Sequence, residues 1–214
     1  MSSISNGSTN QTSKNKSART KIVQAKPSTA NRKVSIKGQF SNRSSSVLEC
    51  GRQMKKESDI ELNFLLCAST KRDVLDIHEQ VGPVRYTNAL GEPTVHYFDF
   101  VIDMDAGDRF AVVCKNQREA DKQLFRANLA CLSRDLPAEI ASTLLLVTEN
   151  SFGPNEARNA QLILAARRVI DPDGDAAIAK AVATLNGFMT IQDIQKLMGS
   201  PAFSFFAAVR AIDC

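Results

Sequence analysis

The sequence predicts an α/β fold, a mixed sheet flanked by helices, with a disordered basic N-terminal tail and an all-helical, winged-helix-like C-terminal module. Three observations predict it. Residues 1–45 are mostly Ser, Asn, Thr, Lys and Arg; residues 46–150 alternate two helical patterns with short β-branched and aromatic runs; after Gly153-Pro154 the periodicity is helical throughout. The expected organisation is therefore a tail over 1–45, an α/β core over 46–150 and a helical module over 151–214.

Composition narrows the class. The 214 residues are 43% hydrophobic and 23% charged, which excludes collagen, coiled coil and wholly disordered chains. No run reaches the roughly 18 apolar residues of a membrane helix, and the polar first 45 residues do not resemble a signal sequence. A soluble, cytoplasmic protein without membrane partners is expected. The cysteines, Cys50, Cys67, Cys114, Cys131 and Cys214, are odd in number and form no CxxC pair, and His78 and His96 are the only histidines, so a disulfide framework or Cys/His zinc site is not expected. Residues 1–50 hold six Lys and three Arg against Glu49 alone, a net +8, leaving 18 basic and 22 acidic residues, a net −4, for the rest. Such a tail can serve DNA or RNA phosphates, or merely aid solubility.

Order is expected from about Ser46, with Val47–Cys50 a short strand leading into a basic turn, Arg52–Lys56. Ser58-Asp59-Ile60-Glu61 fits a capping box, and Ile60, Phe64, Cys67 and Ala68 then share one face of a helix. Val74–Gln80 and Val84–Thr87 read as strands on either side of the breaker Gly82-Pro83, with a turn at Asn88–Pro93. Val95–Asp103 and Arg109–Lys115 read as an antiparallel hairpin. A three-residue loop, Ala106-Gly107-Asp108, places Asp99 opposite Lys115 and sets His96, Phe98, Phe100 and Ile102 on one face, with Tyr97, Asp99, Val101 and Asp103 on the other. A helix over Arg118–Leu132 and a buried strand over Leu144–Thr148 complete the core. Helices follow at Asn155–Arg168, Ala176–Asn186, Thr190–Met198, capped by Thr190 and Asp193, and Pro201–Ile212. The turn at Gly199-Ser200-Pro201 suggests helix-turn-helix geometry.

The candidate chemistry rests on Glu61 on the first helix, Asp99 in a strand and Lys115 at the end of the next. Each has a plain structural use: a capping box, a hydrogen-bonded strand residue, a solvated strand end. Together, two carboxylates and an ammonium meet the needs of phosphodiester hydrolysis, in which a hard cation takes oxygen ligands and activates water while the ammonium stabilises developing charge.

These residues lie within Glu57-Ser58-Asp59-Ile60-Glu61 with Phe64-Leu65-Leu66, Asp73–Gln80, Tyr97-Phe98-Asp99-Phe100-Val101 and Val112-Val113-Cys114-Lys115. In that order they resemble the TnsA-type transposon endonucleases, a branch of the PD-(D/E)xK restriction-endonuclease-like superfamily. The resemblance runs over roughly residues 38–212. It implies a restriction-endonuclease-like core, metal-binding acids at Glu61 and Asp99, a catalytic lysine at Lys115, and Mg2+ or Mn2+ as cofactor. Glu79-Gln80 is similar to the family's E-Q pair. It further implies a DNA endonuclease that cleaves one strand at transposon ends, beside an Asp-Asp-Glu transposase and an AAA+ ATPase regulator.

Two positions depart from the family. Phe98 stands where Pro is usual, and Val113 where an acid or amide is common. Val113 is expected to share the face of Asp99 and Lys115 without offering a metal any oxygen, so that Val113→Glu is expected to tighten metal binding. Asp103 and Asp105 read as solvated acids at the hairpin end. The alternatives from other classes are a catalytically weak or inactive DNA-binding or assembly subunit, and a restriction or repair nuclease.

Overall fold

The computed structural model describes residues 26–31, 44–47, 53–183, 187–198 and 203–213. Two short strands, β1 (Ser44–Val47) and β2 (Gln53–Lys56), pair antiparallel ahead of helix α1 (Asp59–Thr70). The basic turn expected at Arg52–Lys56 is thus corrected for Gln53–Lys56, because Met54 is apolar and sinks fully into the core beside α1. Residues 48–50 of the expected first strand lie outside the described residues. As expected, the Ser58 hydroxyl caps α1 by accepting the Glu61 N–H at 3.2 Å.

The central sheet is mixed. Strands β3 (Val74–Thr87), β4 (Pro93–Met104) and β5 (Arg109–Cys114) are antiparallel neighbours; after helices α2 (Gln117–Ala120) and α3 (Gln123–Arg134), β6 (Thr143–Val147) joins parallel to β5. The single helix expected over Arg118–Leu132 is broken at Asp121-Lys122, where Arg126 donates to the Ala120 carbonyl at 3.1 Å and to the Asp121 carboxylate at 2.7 Å. Instead of ending at Gly82-Pro83, β3 runs on past it with a register shift between Val81 and Val84. A bulge of this kind takes proline out of the ladder. At Gly82, with φ of 154°, a Cβ would lie 2.8 Å from the His96 carbonyl oxygen, so β4 approaches too closely for any side chain there.

Packing on the two sheet faces differs from simple alternation. Phe100, Ile102 and Val112 pack with Phe64, Leu65 and Ala68 of α1, whereas Val101, Ala111 and Val113 pack toward Phe125, Leu129 and Leu132 of α3. Phe98 belongs to the α3 cluster with Val84, not with Phe100. The expectation that Phe98 and Phe100 share a face is therefore corrected. Gln80, whose register places it beside Asp99, has φ of 50°, a left-handed conformation that turns β3 over at this point.

The hairpin loop has the expected three residues but begins one earlier, at Asp105-Ala106-Gly107, closed by the Met104 N–H on the Asp108 carbonyl at 2.9 Å. Gly107 supplies the left-handed position, φ 87°. One residue of loop displacement moves the register by two, so Asp103 pairs with Arg109 and Phe100 with Val112. Asp99 consequently falls opposite Val113, not Lys115.

Beyond residue 149 the regular elements described are helical: a 3₁₀ turn at Glu149–Ser151, then α4 (Glu156–Arg167), α5 (Pro172–Ala183), α6 (Ile191–Met198) and α7 (Phe203–Asp213). Helix α4 packs on α1 through Ala160 and Leu164 against Leu66 and Cys67. Helix α5 starts before the expected Ala176, because Asp171 accepts the Gly174 N–H at 3.0 Å and Pro172 suits the first helical turn. Its expected end at 184–186, and residues 199–202 of the turn and last helix, lie outside the described residues. Thr190 and Asp193 cap α6 as expected, the Asp193 N–H reaching the Thr190 hydroxyl at 3.2 Å. No helix of the described residues is long and apolar enough to cross a membrane.

Candidate functional site

Glu61 sits in the first turn of α1 and is 6% exposed. Its carboxylate accepts the Glu57 N–H at 2.6 Å and the Ser58 hydroxyl at 2.9 Å. The local sequence therefore fixes this side chain twice, through the cap and through the preceding backbone, and the helix N-terminus favours its negative charge.

Asp99 lies where β4 and β5 part. The ladder ends at Phe100 and Val112, and the Asp99 carboxylate then takes the Cys114 N–H at 2.7 Å. A side-chain acceptor has replaced a backbone one, which holds the carboxylate in the gap between strands. Cys114 packs on the α1 side with Val112 and Leu145. Burial first, then the charges of Asp99 and Glu61, push its thiol far above the ordinary range. Asp99 is thus bonded to the Cys114 backbone, and the charge of Glu61, from a different element, is also felt at the Cys114 sulfur.

The role expected for position 113 is corrected here. Val113 is 4% exposed and belongs to the α3 cluster, on the face away from α1. The β5 side chain beside the acids is Cys114. Alternation along β5 contained this signal, since 112 and 114 share parity and Val112 is in the α1 core, but strict alternation along β4 puts Asp99 on the face of 113. That alternation fails at Asp99, whose neighbours Phe98 and Phe100 lie in different clusters.

Lys115 follows directly, with its N–H on the Val147 carbonyl at 2.9 Å, and its side chain is exposed. Its charge is felt at Glu119, whose carboxyl is lowered chiefly by the hydrogen bond from Lys122, with Lys115 and Arg118 adding to it. The structure therefore places Asp99 on the Cys114 N–H, Glu61 in the first turn of α1, and Lys115 one residue beyond Cys114, at the surface.

Glu79 and Gln80 are buried in β3, 1% and 2% exposed. Glu79 pairs in register with Phe100, the neighbour of Asp99. Asp103 is not a solvated turn acid: it accepts Arg109 Nε at 2.6 Å and lies 3.0 Å from His78 Nε2. Burial raises its carboxyl, but the hydrogen bonds and charges of His78 and Arg109 outweigh this and hold it below the usual range. Asp105 is exposed in the loop.

Among the described residues no group of three or more His, Cys, Asp and Glu side chains is placed to hold a metal ion. The candidate donors are the carboxylates of Glu61 and Asp99. Hard oxygen donors without a thiolate suit Mg2+ or Mn2+, and a site with two protein carboxylates fits a cation that keeps most of its water. No protein-family model matches the chain, and no curated protein matches it.

Proposed function

We propose that this chain is a metal-dependent DNA endonuclease subunit with a restriction-endonuclease-like core and a winged-helix-like helical module, cleaving one strand at transposon ends. The observation that carries the reading is the Asp99 carboxylate held by the Cys114 N–H where β4 and β5 part, one residue before Lys115, with the buried Glu61 fixed at the start of the helix that packs on the same side of the sheet. Glu61 and Asp99 are the residues to hold Mg2+, which when bound offsets phosphate charge and lowers the pKa of a coordinated water. Glu61 is prefixed by its cap, Asp99 by the Cys114 N–H, so neither carboxylate needs to reorganise on loading. Lys115, exposed one residue beyond Cys114, is the residue to offset the charge of a scissile phosphate in the transition state. The resemblance adds an Asp-Asp-Glu transposase and an AAA+ ATPase as partners.

The test is a nicking assay on supercoiled and transposon-end DNA with Mg2+ or Mn2+, with and without the partner proteins. Glu61→Ala, Asp99→Ala and Lys115→Ala should each reduce nicking by at least 100-fold with the circular dichroism spectrum preserved. Wild-type protein that nicks nothing under all these conditions would sink the proposal.

A second reading, a nuclease-fold subunit that binds and assembles without cutting, is favoured by one observation. Both acids already carry backbone hydrogen bonds, Glu61 from Glu57 and Asp99 from Cys114, and Val113 offers no third ligand. In that case DNA and partner binding survive the three substitutions unchanged, and no divalent cation elicits cleavage. A restriction or repair nuclease is distinguished by its genes' neighbours, which would not include a transposase and an ATPase.

A further inference from the structure

Residues 26–31 lie along β3, and their contacts converge on the segment beside Asp99. The Ser28 hydroxyl donates to the Glu79 carboxylate and also accepts the Ala30 N–H at 3.2 Å. Asn31 donates its backbone N–H to the Gln80 carbonyl at 3.2 Å and its side-chain amide to the Gly82 carbonyl at 3.1 Å. The strap thus bonds to three positions, 79, 80 and 82, of the strand segment that faces Phe98–Phe100 of β4.

That segment has need of such support. Gln80 is a non-glycine residue at φ 50°, a conformation that persists only where its surroundings over-determine it. Glu79 is a buried carboxylate, and removing a hydrogen-bond donor from a buried acid leaves a desolvated group less satisfied than before. The register shift between Val81 and Val84 breaks the β3–β4 ladder at the same place. The strand is turned over and bulged here and buries a carboxyl group, and the strap supplies hydrogen-bond donors at that place.

We propose that Ser28 and Asn31 are positioning residues: the strap holds Glu79 and Gln80 against β4, and so keeps Asp99 in place relative to Glu61 and Cys114. This inference rests on the nuclease reading above. The tail then has two separable roles, charge from the basic residues on either side of the strap and geometry from the strap itself. Lys14, Lys16, Arg19 and Lys21 precede the strap, so a deletion of residues 2–25 removes charge and spares it.

The experiment compares full-length protein, the 2–25 deletion, Ser28→Ala, Asn31→Ala and Ser28→Thr. Hydrogen exchange is followed in peptides covering 76–84 and 95–101, DNA affinity is measured against salt, and nicking is measured at saturating DNA. Ser28→Ala and Asn31→Ala should speed exchange in both peptides and lower saturating nicking about tenfold, with DNA affinity and salt slope within twofold of wild type. Ser28→Thr, which keeps the hydroxyl, should restore nicking. The 2–25 deletion should do the reverse, with a shallower salt slope and unchanged saturating nicking. Unchanged exchange in Ser28→Ala and Asn31→Ala overturns the anchoring outright, whatever the protein's activity. Faster exchange with unchanged nicking overturns the positioning role, as does a loss confined to DNA affinity. Faster exchange in a protein whose wild type does not nick removes the nuclease reading and the positioning role with it, while the anchoring is retained.

Discussion

Val113→Glu separates the two faces of β5 more sharply than any other substitution. Val113 is buried in the α3 cluster with Val101, Ala111 and Leu132. Losing a buried valine costs about 1.5–3 kcal/mol of apolar burial. A glutamate there must either ionise in an apolar setting or take up a proton at neutral pH. From an unfolded pKa of about 4.3, staying neutral at pH 7 costs about 3.5–4 kcal/mol at roughly 1.4 kcal/mol per unit. The sum, about 4–6 kcal/mol once partial escape of the long side chain is allowed for, is a large part of the 5–15 kcal/mol that typically holds a domain folded. Its sign with pH is fixed: the folded pKa is raised, so the folded state binds more protons, and the penalty grows as pH rises above the unfolded value. Val113→Gln provides the uncharged control. Urea denaturation of both variants between pH 5 and 7 should show the Glu variant losing stability relative to the Gln variant with each unit. A Val113→Glu protein as stable as wild type that also binds Mg2+ more tightly by calorimetry would refute this placement and restore the metal-side reading of position 113.

Three further outcomes are expected. The Cys114 thiol, raised by burial and by Asp99 and Glu61, should react with a thiol reagent at pH 8 far more slowly than an unhindered cysteine, and Asp99→Asn should speed the reaction. Arg167→Met should cost about 2–4 kcal/mol in thermal or urea unfolding, because it removes the pair with Asp213 at 2.6 Å and the bonds to the Ser69 and Thr70 carbonyls. Asp103→Asn should destabilise at neutral pH and match wild type in acid: a depressed carboxyl contributes stability that is present above its unfolded pKa and lost as pH falls through its folded one. A gap that stays constant down to pH 2 would contradict the pairing of Asp103 with His78 and Arg109.

Most elements were legible because their signals are local. The Ser58-x-x-Glu61 box, the β-branched run around Asp99 and the helical periods after Gly153 each act within a few residues, and each corresponds to an element of the structure. Misread features depended on distant partners. Gln53–Lys56 looks like a basic turn until Met54 finds the α1 core, and Phe98 looks like a neighbour of Phe100 until Gln80 turns the ribbon over. The hairpin loop shows how little separates a right parity from a wrong pairing, since one residue of displacement moved Asp99 from Lys115 to Val113. The strand and helix that carry the two acids were readable from the sequence; that Asp99 bonds to the backbone of Cys114 was not, because it required knowing where β4 and β5 part. The docking of Ser28 and Asn31 had no sequence signal, as their partners are 51 residues away.

Helix α1 carries Glu61 near one end and exposes the carbonyls of Ser69 and Thr70 near the other, where Arg167 grips them while holding Asp213 of α7. Twelve residues make a strut of about 18 Å, seated at both ends. Its first turn is anchored by the chain immediately before it and its last turn by a guanidinium nearly a hundred residues later, which is itself paired with Asp213 of α7. A tag fused after Asp213, or a protease that trims α7, therefore pulls on the bearing at the far end from Glu61, and loosening it gives the helix freedom to slide or roll on the sheet. Handling of the C-terminus in the laboratory belongs to the treatment of the acid pair, although the two are separated along the chain by most of its length.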